Sequence, residues 1–403
     1  MTAQTYEASR QIGNSPANLY YMFTHEQSWR EWFCDSAWAQ QREEGQLLLT
    51  WLRPQNRDLF VLARFAKLEP DKRIELEWEV NLDSARGSVV IDITPTDGGA
   101  TLTLTHTFPA DASDASIARQ TGLWENGLEN LQNVLKTGID LRIARLPMLG
   151  LIVGALDDAA QARLGLPDQN GTLLADTIEG MGARDAGLIT GDVVVALDDT
   201  PLTPNFGVFD FMANKKAGDM VKVDYYRGGK RQSVSMTLSP RQMPEVPPTA
   251  SELAARLREI RDDMEAKIDE VLTGVSDETA SMPPADGGWN VKEILAHLIL
   301  DERDNQNTIA HHLSDDVSVA QLKNQDARVR ALVSTHPTLA EMRAELSRAF
   351  QETIAYVENF PDAFVSRRSS YWSLSQGLLQ AGYHLQDHLA QIREATRHKE
   401  LTH

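Results

Sequence analysis

The sequence predicts a chain of three modules: an α+β module, a mostly-β module and an all-α four-helix bundle. Three observations support this fold class. In residues up to about 140, apolar and polar side chains first alternate, as they do in strands, and large apolar side chains then recur at helical spacing. Residues from about 143 to 240 contain short strand-like runs between glycines, whereas only helical patterns follow residue 249. A stretch with four prolines in ten residues, 240–249, precedes the helical part.

These changes of pattern set the predicted boundaries. We place the first module at residues 1–141, the second at 143–240, a proline-rich linker at 241–248 and the helical module at 249–403. A chain of 403 residues is also too long for one hydrophobic core, which favours such a division.

The composition narrows the classes of partner. There are 58 acidic and 39 basic residues, a formal net charge of −19, so we expect neither nucleic acid nor a membrane surface as a partner. The single cysteine, Cys34, excludes an internal disulfide and cysteine-based zinc motifs. The first residues lack the basic start and apolar stretch of a secretory leader, so a cytoplasmic location is predicted.

In the first module, a run of apolar residues that alternate with charged ones predicts a half-buried strand. The apolar residues of this run are Ile74, Leu76, Trp78 and Val80. A helical stripe follows at Trp124, Leu128, Leu131 and Leu135. The segments NSPANLYYMFTHEQSWREWF and GLWENGLENLQNVLKTG resemble the START-like (SRPBCC) family, in particular homologues of the heat-shock ATPase activator. The resemblance implies a helix-grip fold with a cavity for an apolar small molecule, which Trp78 and His106 would face. The alternative is that both residues fill the core.

The second module contains Ala186-Gly187-Leu188 followed by Gly191-Asp192-Val193-Val194, which resembles a PDZ domain of the HtrA type. The resemblance implies that a peptide C-terminus adds to a strand edge and that its carboxylate meets the loop formed by Leu149, Gly150, Leu151 and Ile152. Alternatively the groove is filled by a neighbouring module. HtrA proteins are serine proteases, but Pro16 follows Gly13-Asn14-Ser15 where an oxyanion hole needs glycine, so proteolysis is not predicted.

The third module shows three capping-box patterns that predict helix starts, at Thr249–Glu252, Asn290–Glu293 and Thr338–Glu341. A fourth helix is predicted over about 373–397, and a connection of about 24 residues, 314–337, is predicted to be a crossover or a lid.

Eight of the ten histidines lie in this module, and three of them have a pattern typical of metal ligands. His384 and His388 are four residues apart on a predicted helix, so they share one face. His297 lies on the inward stripe of another helix, where a buried imidazole needs a partner. One shared divalent metal would satisfy all three.

The segments GWNVKEILAHL and YHLQDHLAQI, which contain these histidines, resemble the DinB-like superfamily. The resemblance implies a metal-binding four-helix bundle with His297, His384 and His388 as ligands. Zinc, nickel and iron all suit imidazole ligands. Some DinB-like proteins are transferases or isomerases that use a low-molecular-weight thiol. Asp301 and Glu302 are candidates to orient the ligands, or else are solvated carboxylates.

Two functions remain open at this point. The first is a metal-dependent thiol transferase or hydrolase in the bundle, with ligand-binding START-like and peptide-binding PDZ modules. The second is a non-catalytic adaptor or stress-related binding protein whose metal is structural. No catalytic residue beyond the metal ligands is predicted, and whether the chain is an enzyme stays undecided.

Overall fold

The computed structural model describes residues 4–51, 59–81, 86–154, 156, 161–162, 165–166, 171–203, 207–212, 215–284, 288–314 and 325–396. The chain forms two compact units, Met1–Gln242 and Met243–His403. The division between them falls within the proline-rich stretch. Among the described residues, no helix combines the length and the apolar character needed to cross a membrane.

The first unit begins with an antiparallel sheet of seven strands in the described residues. They are β1 Thr5–Ile12, β2 Ser36–Ala39, β3 Gln46–Thr50, β4 Phe60–Glu69, β5 Arg73–Val80, β6 Gly87–Thr96 and β7 Gly99–Thr107, in the order β1-β7-β6-β5-β4-β3-β2. The hairpin between β6 and β7 turns at Gly98, whose φ of 87° suits glycine. Residues on β5 alternate strictly between buried and half-buried, which confirms the half-buried strand that the sequence predicts.

Four helices in the described part accompany this sheet: α1 Pro16–Thr24, α2 Glu26–Trp32, α3 Asp114–Thr137 and α4 Leu141–Ala144. The long helix α3 is capped at its start by Ser113, whose side chain accepts a hydrogen bond from the Ser116 N–H, and at its end by the left-handed Gly138. Its buried face carries Trp124, Leu128 and Leu131 into the core. The sheet and α3 therefore share one hydrophobic core.

In its described residues, the remainder of this unit contains a second antiparallel sheet and the two short helices given below. The strands are β8 Leu151–Gly154, β9 Thr172–Thr177, β10 Val193–Leu197, β11 Thr200–Pro201, β12 Met220–Arg227 and β13 Lys230–Thr237, and the helices are α5 Gly182–Asp185 and α6 Val208–Met212. The order is β13-β12-β10-β9-β8, with β11 paired to β10. In the described residues β8 therefore lies at one edge of the sheet.

All the regular secondary structure described in the second unit is helical. Its helices are α7 Ala250–Leu272, α8 Asp277–Ser281, α9 Val291–Ser314, α10 Gln325–Thr335, α11 Leu339–Glu358, α12 Asp362–Ser366, α13 Arg368–Leu379 and α14 Ala381–Thr396. The predicted capping interactions are confirmed: Thr338 and Glu341 form both reciprocal hydrogen bonds, as do Asn290 and Glu293. Thr249 accepts from the Glu252 N–H.

Two helical predictions differ from the structure. The connection predicted over 314–337 contains the helix α10, which Arg328 ties to α9 through a two-pronged ion pair with Asp304. The predicted fourth helix is two helices, since the Gln380 N–H bonds to the Gly377 carbonyl three residues back and tightens the end of α13. Buried serines at Ser369, Ser370 and Ser375 interrupt the apolar pattern of α13, so its start is not visible in the sequence.

Candidate metal centre

The histidine on α9 lies at the margin of the bundle core. Its neighbours Ile294 and Leu298 are buried, whereas the His297 side chain keeps 12% of its surface exposed. The His297 Nε2 atom lies 3.4 Å from an Asp301 carboxylate oxygen, one helical turn further along. The Trp289 ring packs 5.1 Å from the imidazole, centre to centre. His297 is therefore held between an indole and a carboxylate of its own segment.

His388, on α14, packs its ring against the ring of His297. His388 is 6% exposed, and its ring centre lies 4.8 Å from that of His297, with the two rings inclined at 70°. Its Nδ1 atom lies 2.9 Å from the Gln391 Oε1 atom, three residues further along α14. The structure therefore brings together two of the three predicted ligands, which are 91 residues apart in the chain.

The third predicted ligand, His384, lies on α14 one turn before His388. Its side chain lies outside the described residues. Among the side chains that are described, no group of three or more histidine, cysteine, aspartate or glutamate residues is arranged to hold a metal ion. The complete three-histidine set consequently stays a prediction.

The described pair is compatible with a shared ion. A metal bound at 2.0–2.1 Å to one nitrogen of each imidazole allows ring centres up to about 6 Å apart. The observed 4.8 Å between His297 and His388 lies within that limit, and both rings are largely removed from water. Imidazole nitrogens with nearby oxygen partners are a typical donor set for zinc, nickel or iron.

The two carboxylates considered for orienting the ligands lie in different environments. Asp301 is beside His297, as described above. Glu302 turns into the bundle, where Thr353 donates a hydrogen bond of 2.8 Å to its Oε2 atom. Burial raises the pKa of Glu302, and this outweighs the opposing effect of the bonds from Thr353 and Asn305. Asp301 is thus the carboxylate placed to act on the candidate metal ligands.

The predicted peptide-binding loop forms the start of the edge strand β8. Leu149 is buried, and its carbonyl accepts from the Ala183 N–H. Gly150 has a φ of 79°, and a Cβ atom there would lie 2.4 Å from the Met181 Cβ atom, so only glycine fits. Leu151 and Ile152 continue into β8, which ends near the 60%-exposed side chain of Val153. The loop and an open strand edge therefore adjoin each other in the described residues.

The two residues predicted for the apolar-ligand cavity are both buried. Trp78 donates from Nε1 to the Gln120 Oε1 atom, and Trp124 donates to His106 Nδ1. Burial lowers the pKa of His106 to about 3, so its imidazole stays neutral. The cavity beside Trp78 has a volume of about 10 Å³, which holds one water molecule at most. In this conformation the two side chains fill the core.

One residue of the candidate centre was not predicted. Gln391 follows His384 and His388 at a spacing of seven and three residues, which places it on the same face of α14. That spacing is visible in the sequence, but a glutamine on a helix is usually a solvated residue, so only its bond to His388 reveals a role.

Three family models match this chain. The model of the DinB superfamily matches residues 262–392, which include His297, His384 and His388. The model of the activator of Hsp90 ATPase homolog 1-like protein matches residues 14–136, and the PDZ domain model matches residues 148–238. The three resemblances that the sequence predicts are thereby confirmed, as is a multidomain chain with two sheet-rich regions and a helical one.

Similar curated proteins match through the PDZ region. The serine protease Do-like HtrA of Lactococcus lactis subsp. cremoris is 32% identical over 119 residues, which are 28% of this chain and 28% of that protein. A probable periplasmic serine endoprotease DegP-like of Pseudomonas putida is 28% identical over 90 residues, 22% of this chain and 19% of that protein. The chain thus spans less than a third of the length of these relatives. The cytoplasmic location stays a prediction.

Solved structures also resemble part of the chain. A protein from Mesorhizobium loti has 21% sequence identity and a TM-score of 0.29, and the match covers 33% of this chain and 97% of that chain. A protein from Rhodobacter sphaeroides has 18% identity and a TM-score of 0.29, over 33% of this chain and 92% of that chain.

Proposed function

We propose that the helical unit binds one divalent transition metal through His297, His384 and His388, and that the chain is a metal-dependent protein with two accessory binding modules. The observation that carries the proposal is the 4.8 Å approach of the His297 and His388 rings from two different helices. A single ion between them would take one ring nitrogen of each of these largely buried imidazoles as a ligand. The DinB superfamily match over the same residues supports it.

Three imidazole ligands leave coordination positions for a substrate or for a low-molecular-weight thiol. A bound zinc, nickel or iron ion would act as a Lewis acid and lower the pKa of such a thiol. The chain's own residues would hold the ion, orient His297 through Asp301 and shield one side of the site with Trp289. These features suit a thiol transferase or a hydrolase.

The two other modules would bind further ligands, an apolar small molecule in the first module and a peptide C-terminus in the second. In the first module the seven-stranded sheet packs around α3 as in a helix-grip fold, which suits an apolar small molecule. Because the present cavity is small, such a ligand requires the side chains around Trp78 to rearrange.

The metal assignment predicts the composition of the purified protein. Full-length chain without an affinity tag is expected to hold about one transition metal ion, and the double variant His384→Ala/His388→Ala is expected to lose it, because one imidazole alone binds weakly. Metal content is measured by elemental analysis, with circular dichroism as the check that the helices remain.

A matched control is available on α9. The variant His311→Ala/His312→Ala removes two adjacent histidines near the helix end, where His312 bonds to the Thr308 carbonyl, and it is expected to keep the metal. Absence of metal from the unaltered protein, with no uptake of zinc, nickel or iron, contradicts the proposal.

A second candidate function is a non-catalytic adaptor that binds peptide C-termini. The position of β8 at the edge of the sheet in the described residues, beside Gly150, favours it. A library of C-terminal peptides is expected to yield binders to the full chain, and Gly150→Ala is expected to weaken them at least about tenfold, since the loop must move away from Met181. Gly218→Ala, at a similarly left-handed turn with open space around it, serves as the control. A library without enrichment excludes the adaptor.

A further inference from the structure

The hydrogen bond between His388 and Gln391 specifies how the imidazole is protonated. An amide oxygen only accepts hydrogen bonds, so the Nδ1 atom 2.9 Å from Gln391 Oε1 must carry the proton. A neutral imidazole has one N–H group and one lone pair. The lone pair of His388 therefore lies on Nε2, which is at the far side of the ring from Gln391.

The burial of His388 makes the acceptor of this N–H group important for stability. The residue is 6% exposed, and a buried donor that lacks an acceptor costs about 1–3 kcal/mol. The ring is also packed against the His297 ring at an inclination of 70°. The bond to Gln391 thus selects one tautomer and also limits rotation of the ring.

We propose that Gln391 is a positioning residue of the metal centre, which holds His388 in the Nδ1–H tautomer and presents Nε2 as the ligating atom. Metal-binding histidines commonly donate their second ring nitrogen to an oxygen in this way. The metal part rests on the function proposed above, whereas the tautomer is a property of the metal-free chain.

The partner of His388 differs in charge from the partner of His297. Asp301 is a carboxylate, whereas Gln391 is a neutral amide. A glutamate at position 391 keeps an acceptor at the same place and adds a charge. The substitution Gln391→Glu therefore separates the geometric role of the side chain from its charge.

The experiment compares Gln391→Met, which has no comparable acceptor, with Gln391→Glu in the full-length protein. Gln391 is exposed, so neither change disturbs the core. Gln351→Met is the control, because Gln351 likewise bonds within its own helix, to Ser347, on α11. The His388 tautomer is measured by two-bond ¹H–¹⁵N correlation spectra of ¹⁵N-histidine protein without metal, and its signal is assigned by its absence in His388→Asn.

We expect the Nδ1–H tautomer in the unaltered chain, in Gln391→Glu and in Gln351→Met, and loss of that preference in Gln391→Met. Zinc affinity, measured by competition with a chromophoric chelator, is expected to fall about 10–100-fold in Gln391→Met. In Gln391→Glu it stays unchanged or increases, since the carboxylate makes the imidazole a stronger donor.

The results separate this inference from the proposed function. An unchanged His388 tautomer in Gln391→Met overturns the role of Gln391, even if the protein binds zinc. A changed tautomer in a protein that takes up no zinc supports Gln391 as the partner that orients His388 and overturns the metal assignment. A changed tautomer with unchanged zinc affinity overturns the positioning role toward the metal.

Discussion

Replacing Arg142 with methionine is expected to lower the free energy of unfolding of the first module by about 3–5 kcal/mol. The Arg142 side chain is only 20% exposed, and it donates to the Asp140 carboxylate at 2.8 Å and to the Cys34 carbonyl at 2.6 Å. A further bond reaches the Arg30 carbonyl at the end of α2. Methionine fills similar space but leaves the largely buried Asp140 carboxylate without its cation, which is the costly case for a buried ion pair.

The neighbouring Arg145→Met is the matched control. Arg145 pairs with Glu129 on the surface, where both side chains are more than half exposed, so its loss is expected to cost less than about 1 kcal/mol. Unfolding in urea is followed by tryptophan fluorescence, because six of the eight tryptophans lie in the first 124 residues. Equal midpoints for the two variants contradict the structural role assigned to Arg142.

Replacing Glu302 with glutamine is expected to stabilise the helical unit at neutral and alkaline pH and to remove a pH dependence of its stability. Glu302 is 7% exposed and lines a cavity of about 30 Å³ whose other walls are largely apolar, including Leu257 and Phe350. Burial raises its pKa in the folded state above the value in the unfolded chain. Glutamine keeps the shape and the acceptor for Thr353 without a charge.

The direction of the effect follows from linkage. Because the pKa of Glu302 is raised in the folded state, the folded chain binds the proton more tightly than the unfolded chain. The contribution of Glu302 to stability is complete at pH values below its pKa in the unfolded chain. This contribution is lost as the pH rises through its pKa in the folded chain. Each tenfold difference in acid constant between the two states is worth about 1.4 kcal/mol. Above the folded pKa the unaltered protein is therefore expected to be less stable than Glu302→Gln.

The measurement is urea unfolding between pH 4 and pH 8, followed at 222 nm in circular dichroism, where helices dominate the signal. Glu352→Gln, an exposed position adjacent to Thr353, is the control and should reproduce the pH profile of the unaltered chain. A parallel profile for Glu302→Gln, with no gain at higher pH, would show that the buried carboxylate does not govern the stability of the bundle.

The local patterns of this sequence predict much of the observed secondary structure. Strand β5 and helix α3 follow from apolar residues at periods of two and about 3.6, and the starts of α7, α9 and α11 follow from capping residues at fixed offsets. Such features depend on neighbours within one turn or one strand. The start of α13 at Arg368 was missed because the buried serines Ser369 and Ser370 interrupt the apolar pattern there.

The candidate centre shows the same distinction. The pair His384 and His388 is visible in the sequence as an i, i+4 spacing, and His297 as an apolar-stripe histidine, whereas their relation to each other is not. Asp301 and Glu302 are adjacent in the chain and indistinguishable by composition. The structure places Asp301 beside His297 and turns Glu302 toward Thr353 in the bundle interior.

The sequence by itself determined the three modules, their family resemblances and the types of residue available for a metal, since periodicity, caps and motifs are properties of short segments. Only the tertiary structure decided that His297 meets His388 and that Arg142 joins α2 to the residues after α3. These contacts join residues that are far apart in the chain. Their existence depends on how the elements pack and on which polar groups are removed from water, and neither is encoded in a local pattern.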